Sequence, residues 1–262
     1  MKAMDIAIKT VMNLHDFAPS PDVNVAFSGL VAAVVQATKL PKWCNDEVCR
    51  EVQRRCSLSE SEMEMYWSRR IASSARPQQE LEKFWYIDNY RELVRREVGL
   101  LGGSGLSLTD SSRAAMIGSG PLPLTAWCLW RQTGAAVDLV DVAPVALAQS
   151  RELARATAWP VGECLLADGA AVALPDSAYD VIYVAGLAGD SAEAKQQIID
   201  NILPALRPGG RIIVRGAHGA KTLLYPAFDP NSLRRVQLLV EYNPDDDIIN
   251  SVYVYKKGQY ER

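Results

Sequence analysis

Two glycines and the acid that follows them could build a nucleoside-binding site. Gly118 and Gly120 stand between a buried apolar run and a helix-like segment, where missing side chains let the backbone turn and approach a ligand. Asp141 ends the next apolar run, 21 residues after Gly120, and an acid at this spacing commonly binds ribose hydroxyls. The pattern therefore predicts a nucleoside site that also includes Ser119 and Pro121.

The kind of nucleoside is narrowed by Pro123, which stands where a dinucleotide fingerprint has its third glycine. This departure favours a nucleoside without phosphates, such as S-adenosylmethionine (AdoMet), over a pyrophosphate. We expect Asp168, after a later strand, to bind the adenine amine, and Ala185 to contact the same ligand. A helix cap is the alternative role for Asp168.

These residues need a sheet to position them. Short apolar runs at 114–117, 136–140, 164–166, 181–184 and 211–214 alternate with helical segments, which predicts a parallel sheet with right-handed crossovers. Two further runs, 236–242 and 251–255, have no helix between them and predict an antiparallel hairpin at the sheet edge. The expected fold class is α/β, a Rossmann-like class I AdoMet-dependent methyltransferase fold.

The first part of the chain has helical patterns and almost no strand pattern. We expect an N-terminal all-helical domain at residues 1–108 and an AdoMet-binding Rossmann-like domain at 109–262, with the boundary near the glycines of 102–105. Ser57-x-x-Glu60 matches a capping box, which predicts that one helix ends near Cys56 and another begins at Ser57. Residues 78–101 read as one long helix.

Composition excludes several classes of protein. A net charge of −3 over 262 residues argues against a nucleic-acid surface, and no apolar run approaches a membrane span, so we expect a cytoplasmic protein with no membrane partner. Five cysteines without a Cys-x-x-Cys pair suit a reducing compartment, and with two histidines we expect no metal site.

Four segments together resemble the nicotianamine synthase family. They read IGSGPLPLT at 117–125, RGAHGAKTLLYP at 215–226, NPDDDIINSV at 243–252 and, in the helical part, FWYIDNY at 84–90. The chain is shorter than plant members and looks more like the bacterial branch that makes opine metallophores of the staphylopine and pseudopaline type.

The resemblance implies an unusual use of AdoMet. The family transfers the 3-amino-3-carboxypropyl (aminobutanoate) group and leaves methylthioadenosine; in the bacterial branch the acceptor is the α-amine of histidine, and an opine dehydrogenase acts downstream. Three alternatives remain open: an ordinary small-molecule methyltransferase, a non-catalytic AdoMet-binding protein, and nicotianamine synthesis from AdoMet alone. A homodimer is one expected assembly.

The acceptor amine must lose a proton before it attacks, and a positioned carboxylate or phenol could take it. Glu60 and Glu64 lie four residues apart and share a helix face, and Glu64 is our first choice for the base. The alternatives are a capping role for Glu60 and a surface position for Glu64. Tyr86 and Tyr90 repeat the spacing, with core packing as their alternative; by resemblance one of each pair helps form the acceptor site.

Three residues near the end of the sheet are candidates for substrate binding. Arg215 follows the fifth strand and could clamp a substrate carboxylate with both ends of its guanidinium group. His218 and Tyr225 lie close behind and could meet the acceptor, although packing is an equal alternative for His218. We expect Asp180, which opens the fourth strand, to be structural.

Overall fold

A computed structural model describes residues 2–189 and 191–258. The outer bounds of the two predicted domains, residues 1 and 262, lie outside the described residues. It contains a seven-stranded sheet. The strands are β1 Arg113–Ile117, β2 Ala136–Asp141, β3 Cys164–Leu166, β4 Tyr179–Val184, β5 Leu206–Gly216, β6 Val236–Tyr242 and β7 Ser251–Lys257.

The strand order across the sheet is β3-β2-β1-β4-β5-β7-β6. The first five strands pair in parallel, and β7 pairs antiparallel to both β5 and β6. The Rossmann-like AdoMet-dependent methyltransferase fold predicted from the alternation of apolar runs is confirmed, including its terminal hairpin. This order places the ends of β1, β2 and β4 side by side, where the glycine turn leaves β1.

Eight α-helices lie in the described ranges. They are α1 Lys2–Met12, α2 Pro21–Val35, α3 Asp46–Ala72, α4 Pro77–Leu81, α5 Ile87–Gly103, α6 Leu124–Thr133, α7 Pro144–Ala156 and α8 Ala192–Ile202. Two short 3-10 helices, Leu203–Ala205 and Gly219–Leu223, flank β5. No strand of the described chain precedes β1.

Helix α3 corrects the prediction of a helix start at Ser57. It runs unbroken for 27 residues, and its N-cap is Asn45, whose side chain accepts a hydrogen bond from the Val48 amide. Ser57 therefore lies mid-helix, where the backbone amides already have partners, and the capping role considered for Glu60 is wrong. The unbroken helix carries Glu60 and Glu64 on one continuous surface.

The segment 78–101 is also not one helix. The chain turns between α4 and α5, and Tyr86 is the N-cap residue of α5, while Tyr90 lies in its first turn. The cause is packing, because Phe84 in this turn is buried against Trp67 of α3 with ring centroids 5.3 Å apart.

One apolar core joins the helices to the sheet. Ile71 of α3 and Leu93 of α5 belong to the same buried cluster as Met116 of β1 and Ile213 of β5. A separate cluster holds α1 and α2 against the N-terminal part of α3 and the segment that follows β5. The division into domains at residue 108 stays a prediction, since the core is continuous across it.

None of the described helices combines the length and the apolar character needed to cross a membrane.

Candidate active site

A cavity of about 520 Å³ lies at the carboxyl ends of β1, β2 and β4, with α3 forming its opposite wall. This is the edge at which sheets of this kind bind ligands. The residues predicted from the sequence that line it are Gly118, Ser119, Gly120, Pro121, Asp141, Asp168 and Ala185 on the sheet side, with Glu60, Glu64, Tyr90, Arg215 and Tyr225 opposite or deeper.

The glycine turn after β1 has the geometry that the sequence predicts. Gly118 and Gly120 have φ angles of 77° and 68°, in the left-handed region where a side chain is strained. The Gly120 amide donates to Asp141 Oδ2 at 2.8 Å, and the Ala143 amide donates to Asp141 Oδ1 at 2.9 Å. These bonds fix the Asp141 carboxylate at the cavity edge with acceptor capacity left for hydroxyl groups.

Ser119 adds a buried polar group that the protein itself does not satisfy. Its residue is 7% exposed, and among the described residues its Oγ atom has no hydrogen-bond partner. A Cβ atom added at Gly118 would lie 3.1 Å from the Ala188 side chain and 3.3 Å from that of Ala185. The turn therefore closely approaches the loop after β4, with little room for a bulkier residue.

That loop after β4 is held by a buried lysine. Lys195 of α8 is 4% exposed, and its Nζ atom donates to the carbonyls of Gly186 at 3.2 Å and Ala188 at 2.8 Å. The ammonium group thereby fixes Ala185 and its neighbours along the cavity wall. Asp168, on the neighbouring wall, accepts from the Ala170 amide at 2.9 Å in a turn and caps no α-helix.

The two glutamates of α3 differ in their partners. Glu60 Oε1 accepts a hydrogen bond from the Tyr225 hydroxyl at 2.7 Å. Glu64 Oε1 lies 3.4 Å from the Tyr90 hydroxyl, and Glu64 Oε2 lies 2.8 Å from the position of a Cβ atom built on Gly120. Glu64 therefore reaches the glycine turn, and its one hydrogen bond is longer than that of Glu60.

The surroundings of these carboxylates raise their proton affinity. Burial raises the pKa of Glu64 well above its usual value near 4.5, and the charge of Glu60 raises it further. Burial also raises the pKa of Glu60, although the bond from Tyr225 and the charge of Arg215 oppose that shift. Burial raises the pKa of Tyr90 and Tyr225 well above the usual range, so both phenols are donors at neutral pH.

A second, smaller cavity of about 130 Å³ lies behind the first. Tyr86 lines this cavity only, together with Phe27 of α2 and Trp85. The residues that line both cavities, called the shared wall below, are Glu60, Tyr90, Tyr225 and Asn250. A donor molecule in the first cavity and an acceptor in the second would meet at this wall.

Arg215 corrects the prediction of a substrate clamp. Its Nε and Nη2 atoms donate to the two carboxylate oxygens of Glu97 at 2.8 and 2.9 Å, and Nη1 donates to Thr125 at 2.8 Å. Both side chains of the pair are buried. Because Glu97 occupies the fork that a substrate carboxylate would need, Arg215 joins α5 and α6 to β5 and acts on the site through its charge.

His218 does not reach either cavity. Its Nδ1 atom lies 3.0 Å from the Ser251 hydroxyl, and burial lowers the pKa of the imidazole. The alternative packing role suits this position. Asp180 is structural as expected: it accepts from the Arg113 amide at 2.8 Å and from Arg207 at 2.9 Å, far from the cavity at the other end of β4.

Sequence reasoning missed three contributors to the site. Glu97 is a buried acid inside α5, and its one signal was a carboxylate in an otherwise apolar helix face. Asn250 stood inside a segment used for the family resemblance but was given no role. Thr125 follows the glycine turn, and its role depends on Arg215, which is 90 residues away. In the described chain no cluster of three or more His, Cys, Asp or Glu side chains is placed to hold a metal ion.

Comparison with known proteins gives the family. The family model described as nicotianamine synthase protein matches residues 2–261. The chain is 32% identical to nicotianamine synthase 9 of Hordeum vulgare over 93% of its own length and 74% of that protein. It is 30% identical to nicotianamine synthase of Solanum lycopersicum over 94% of its own length and 80% of that protein. The chain belongs to the nicotianamine synthase family.

Solved structures agree in fold. MtNAS in complex with MTA and tNA has a TM-score of 0.83 and 19% identity, with 98% of each chain covered. A single-residue variant of MtNAS in complex with S-adenosylmethionine has a TM-score of 0.81 and 18% identity, covering 98% of this chain and 97% of that one. At this identity the likeness establishes the fold alone.

As a nicotianamine synthase family member, the chain is an AdoMet-dependent transferase. The site fits AdoMet, a nucleoside without phosphates. The glycine turn, the unsatisfied Ser119 hydroxyl and the fixed Asp141 carboxylate form an amide-rich, acidic wall for it. The positive sulfonium group of AdoMet suits a cavity that is also lined by Glu60 and Glu64.

Proposed function

We propose that this chain transfers the 3-amino-3-carboxypropyl group of AdoMet to the α-amine of histidine and releases methylthioadenosine, as a member of the bacterial opine-metallophore branch. The observation that carries the proposal is the shared wall. Its carboxylate and phenols lie between a large cavity suited to AdoMet and a small one suited to an amino acid.

The sulfonium of AdoMet activates all three carbons attached to it, so the protein has to select one. Selection is made by presenting the γ-carbon at about 3–3.5 Å from the nucleophile. The nucleophile is an amine that is mostly protonated at neutral pH. Glu64 takes that proton, since a carboxylate whose pKa burial has raised is closer in proton affinity to an amine. Tyr225 holds Glu60 in place beside it.

The size of the second cavity supports histidine as the acceptor. At about 130 Å³ against about 520 Å³, it has a quarter of the volume of the first cavity. A free amino acid is much smaller than AdoMet, whereas nicotianamine synthesis from AdoMet alone needs room for a second donor or its growing product.

The rest of the proposal concerns the setting. We place the enzyme in the cytoplasm, with an opine dehydrogenase consuming its product, and a homodimer is the assembly to test first. The proposed small-molecule substrates are AdoMet and histidine.

Incubation of the purified protein with AdoMet and single amino acids, followed by mass analysis of all products, tests the function. We expect methylthioadenosine release that depends on histidine, with one enantiomer preferred when L- and D-histidine are compared. Methylthioadenosine formed from AdoMet alone, together with a nicotianamine-like product, contradicts the histidine assignment. Adenosylhomocysteine as the product contradicts the transfer itself.

A further inference from the structure

The loop between β6 and β7 is held by a second buried lysine. Lys221, 5% exposed, donates from Nζ to the carbonyls of Pro244 at 2.6 Å, Asp246 at 3.0 Å and Ile248 at 2.6 Å. An ammonium group has three donors, so these three carbonyls use its full capacity. Lys221 therefore defines the path of the loop from Pro244 to Ile248.

Helix α5 fixes the same loop from the other side. Arg96 Nη2 donates to Asp246 at 2.5 Å, and Asn89 Nδ2 donates to the Asp247 carbonyl at 3.2 Å. Ile248 and Ile249 are buried at 1% and 6% exposure. The backbone is thus anchored up to the residue before Asn250, which limits where the Asn250 side chain can lie.

Asn250 brings an unused carboxamide group to the shared wall. It lines both cavities, and no hydrogen bond of its side chain occurs within residues 2–189 and 191–258. A Cβ atom built on Gly186, which also lines the first cavity, would lie 3.6 Å from its Nδ2 atom, so the carboxamide lies beside Gly186. The other donors of the wall already face acids, since Tyr225 donates to Glu60 and the Tyr90 hydroxyl faces Glu64.

The charged side chains that line the two cavities limit what the Asn250 carboxamide could bind. Among the described lining residues Arg215 is the one cationic side chain; its Nε and Nη2 atoms donate to Glu97 and its Nη1 atom donates to Thr125. A carboxylate that enters between the cavities therefore meets acids and has no free guanidinium or ammonium to pair with. A neutral amide N–H is the donor that remains, and such a donor binds a carboxylate without neutralising the acids needed for proton removal.

We propose that Asn250 binds the α-carboxylate of the acceptor at the shared wall, and that Lys221 is the positioning residue that holds the loop carrying it. The inference rests on the proposed function, because it assigns one group of the amino-acid acceptor. Its carboxylate would then lie on one side of the wall and its amine would face Glu64.

The test compares histidine with histamine, which has the same amine and imidazole but no carboxylate. Asn250→Asp keeps the size of the side chain and replaces the donor by an acid. We expect this variant to raise the KM for histidine roughly 10- to 100-fold more than the KM for histamine, because a hydrogen bond to a charged group is lost and a repulsion is added. Asn243→Ala, at an exposed side chain of the same loop that donates to Glu241, is the control with unchanged constants.

Lys221→Met tests the positioning role, and Lys195→Met is its counterpart on the donor side. We expect Lys221→Met to raise the KM for histidine more than that for histamine and to leave the Kd of AdoMet within about twofold. Lys195→Met should raise the Kd of AdoMet and leave the ratio of the histidine and histamine KM values unchanged. A merely structural role predicts the same losses for all three ligands.

The outcomes of these tests distinguish a failure of the Asn250 inference from a failure of the proposed function. If the wild-type protein uses histidine but Asn250→Asp raises both KM values by the same factor, or neither, the inference is wrong and the proposed function stands. If methylthioadenosine release does not depend on histidine, the proposed function fails and the inference falls with it.

Discussion

Glu64 and Glu60 lie one turn apart on α3 and have the same side chain, but they differ in their hydrogen-bond partners. Glu60 is tied to Tyr225 at 2.7 Å, whereas Glu64 has one long contact of 3.4 Å and lies against the glycine turn. The proton affinity of Glu64 is raised by burial and by its neighbour. It is therefore the better placed of the two to accept a proton, and Glu60 the better placed to be held still.

Glu64→Gln should keep the fold and AdoMet binding but slow turnover by roughly 10²- to 10⁴-fold, because glutamine has no useful basicity. Steady-state release of methylthioadenosine measures this. Raising the pH should partly restore the rate, since more of the acceptor amine is then neutral. Glu60→Gln is the matched comparison: if it is the inactive variant while Glu64→Gln turns over normally, the assignment of the base is reversed.

The same substitution should stabilise the protein without ligands, in a pH-dependent way. Because the folded-state pKa of Glu64 is raised, its contribution to stability is complete below about pH 4.5 and is lost as the pH rises through the folded pKa. The variant lacks this loss, so its Tm should exceed the wild-type Tm by an amount that grows as the pH rises above about 4.5 towards the folded-state pKa of Glu64. Glu62→Gln, on the exposed side of α3, should show no such trend; an equal trend in both variants contradicts the account.

Residue types also show where sequence reasoning ends. Asp141 could be predicted, because its partner Gly120 belongs to a motif of fixed spacing. Arg215 could not be assigned correctly, since its carboxylate partner Glu97 lies 118 residues away and nothing local distinguishes a paired guanidinium from a free one. Side-chain pairing across elements is decided by tertiary packing.

At the scale of elements, two parts carry the site: the turn from β1 into α6 and the unbroken helix α3. The turn needs glycine for its backbone, and α3 needs its length, because its middle must lie over the cavity while its start packs against α1. The capping box at Ser57 gave a wrong helix start because the motif consists of side chains alone. In α3, whose N-cap is Asn45, the backbone amides near Ser57 already have partners within the helix, so a capping box has no free amides to bind.

Gly120→Ala tests the turn. Its φ of 68° costs a non-glycine residue about 1–2 kcal/mol, and the new Cβ atom would lie 2.8 Å from Glu64 Oε2. We expect a modest fall in Tm and a loss of AdoMet affinity of at least tenfold, measured by calorimetry. Gly99→Ala is the control: it lies inside α5 with no atom within 4 Å of the new Cβ, so it should raise stability by about 0.5–1 kcal/mol and leave binding intact.

For the whole molecule, the parallel sheet and its terminal hairpin could be predicted from the alternation of apolar runs with helical segments, a signal spread over many residues. The helical part was predicted as helical but with wrong boundaries, since its breaks depend on which side chains the core accepts, as with Phe84. The same core runs from these helices into the sheet, so the shared wall is assembled from residues that lie 190 positions apart, from Glu60 to Asn250. No local motif could predict the pair of cavities.

The central claim is that the aminobutanoate group of AdoMet is transferred and the methyl group is not. Isotope labelling tests this claim most directly. The enzyme would be supplied with histidine and AdoMet labelled with ¹³C either in the methyl group or in the aminobutanoate carbons, and both products would be weighed by mass spectrometry. We predict that the aminobutanoate label appears in the histidine-containing product and that the methyl label leaves in methylthioadenosine. A methyl label on histidine, with the aminobutanoate label in adenosylhomocysteine, would contradict the account.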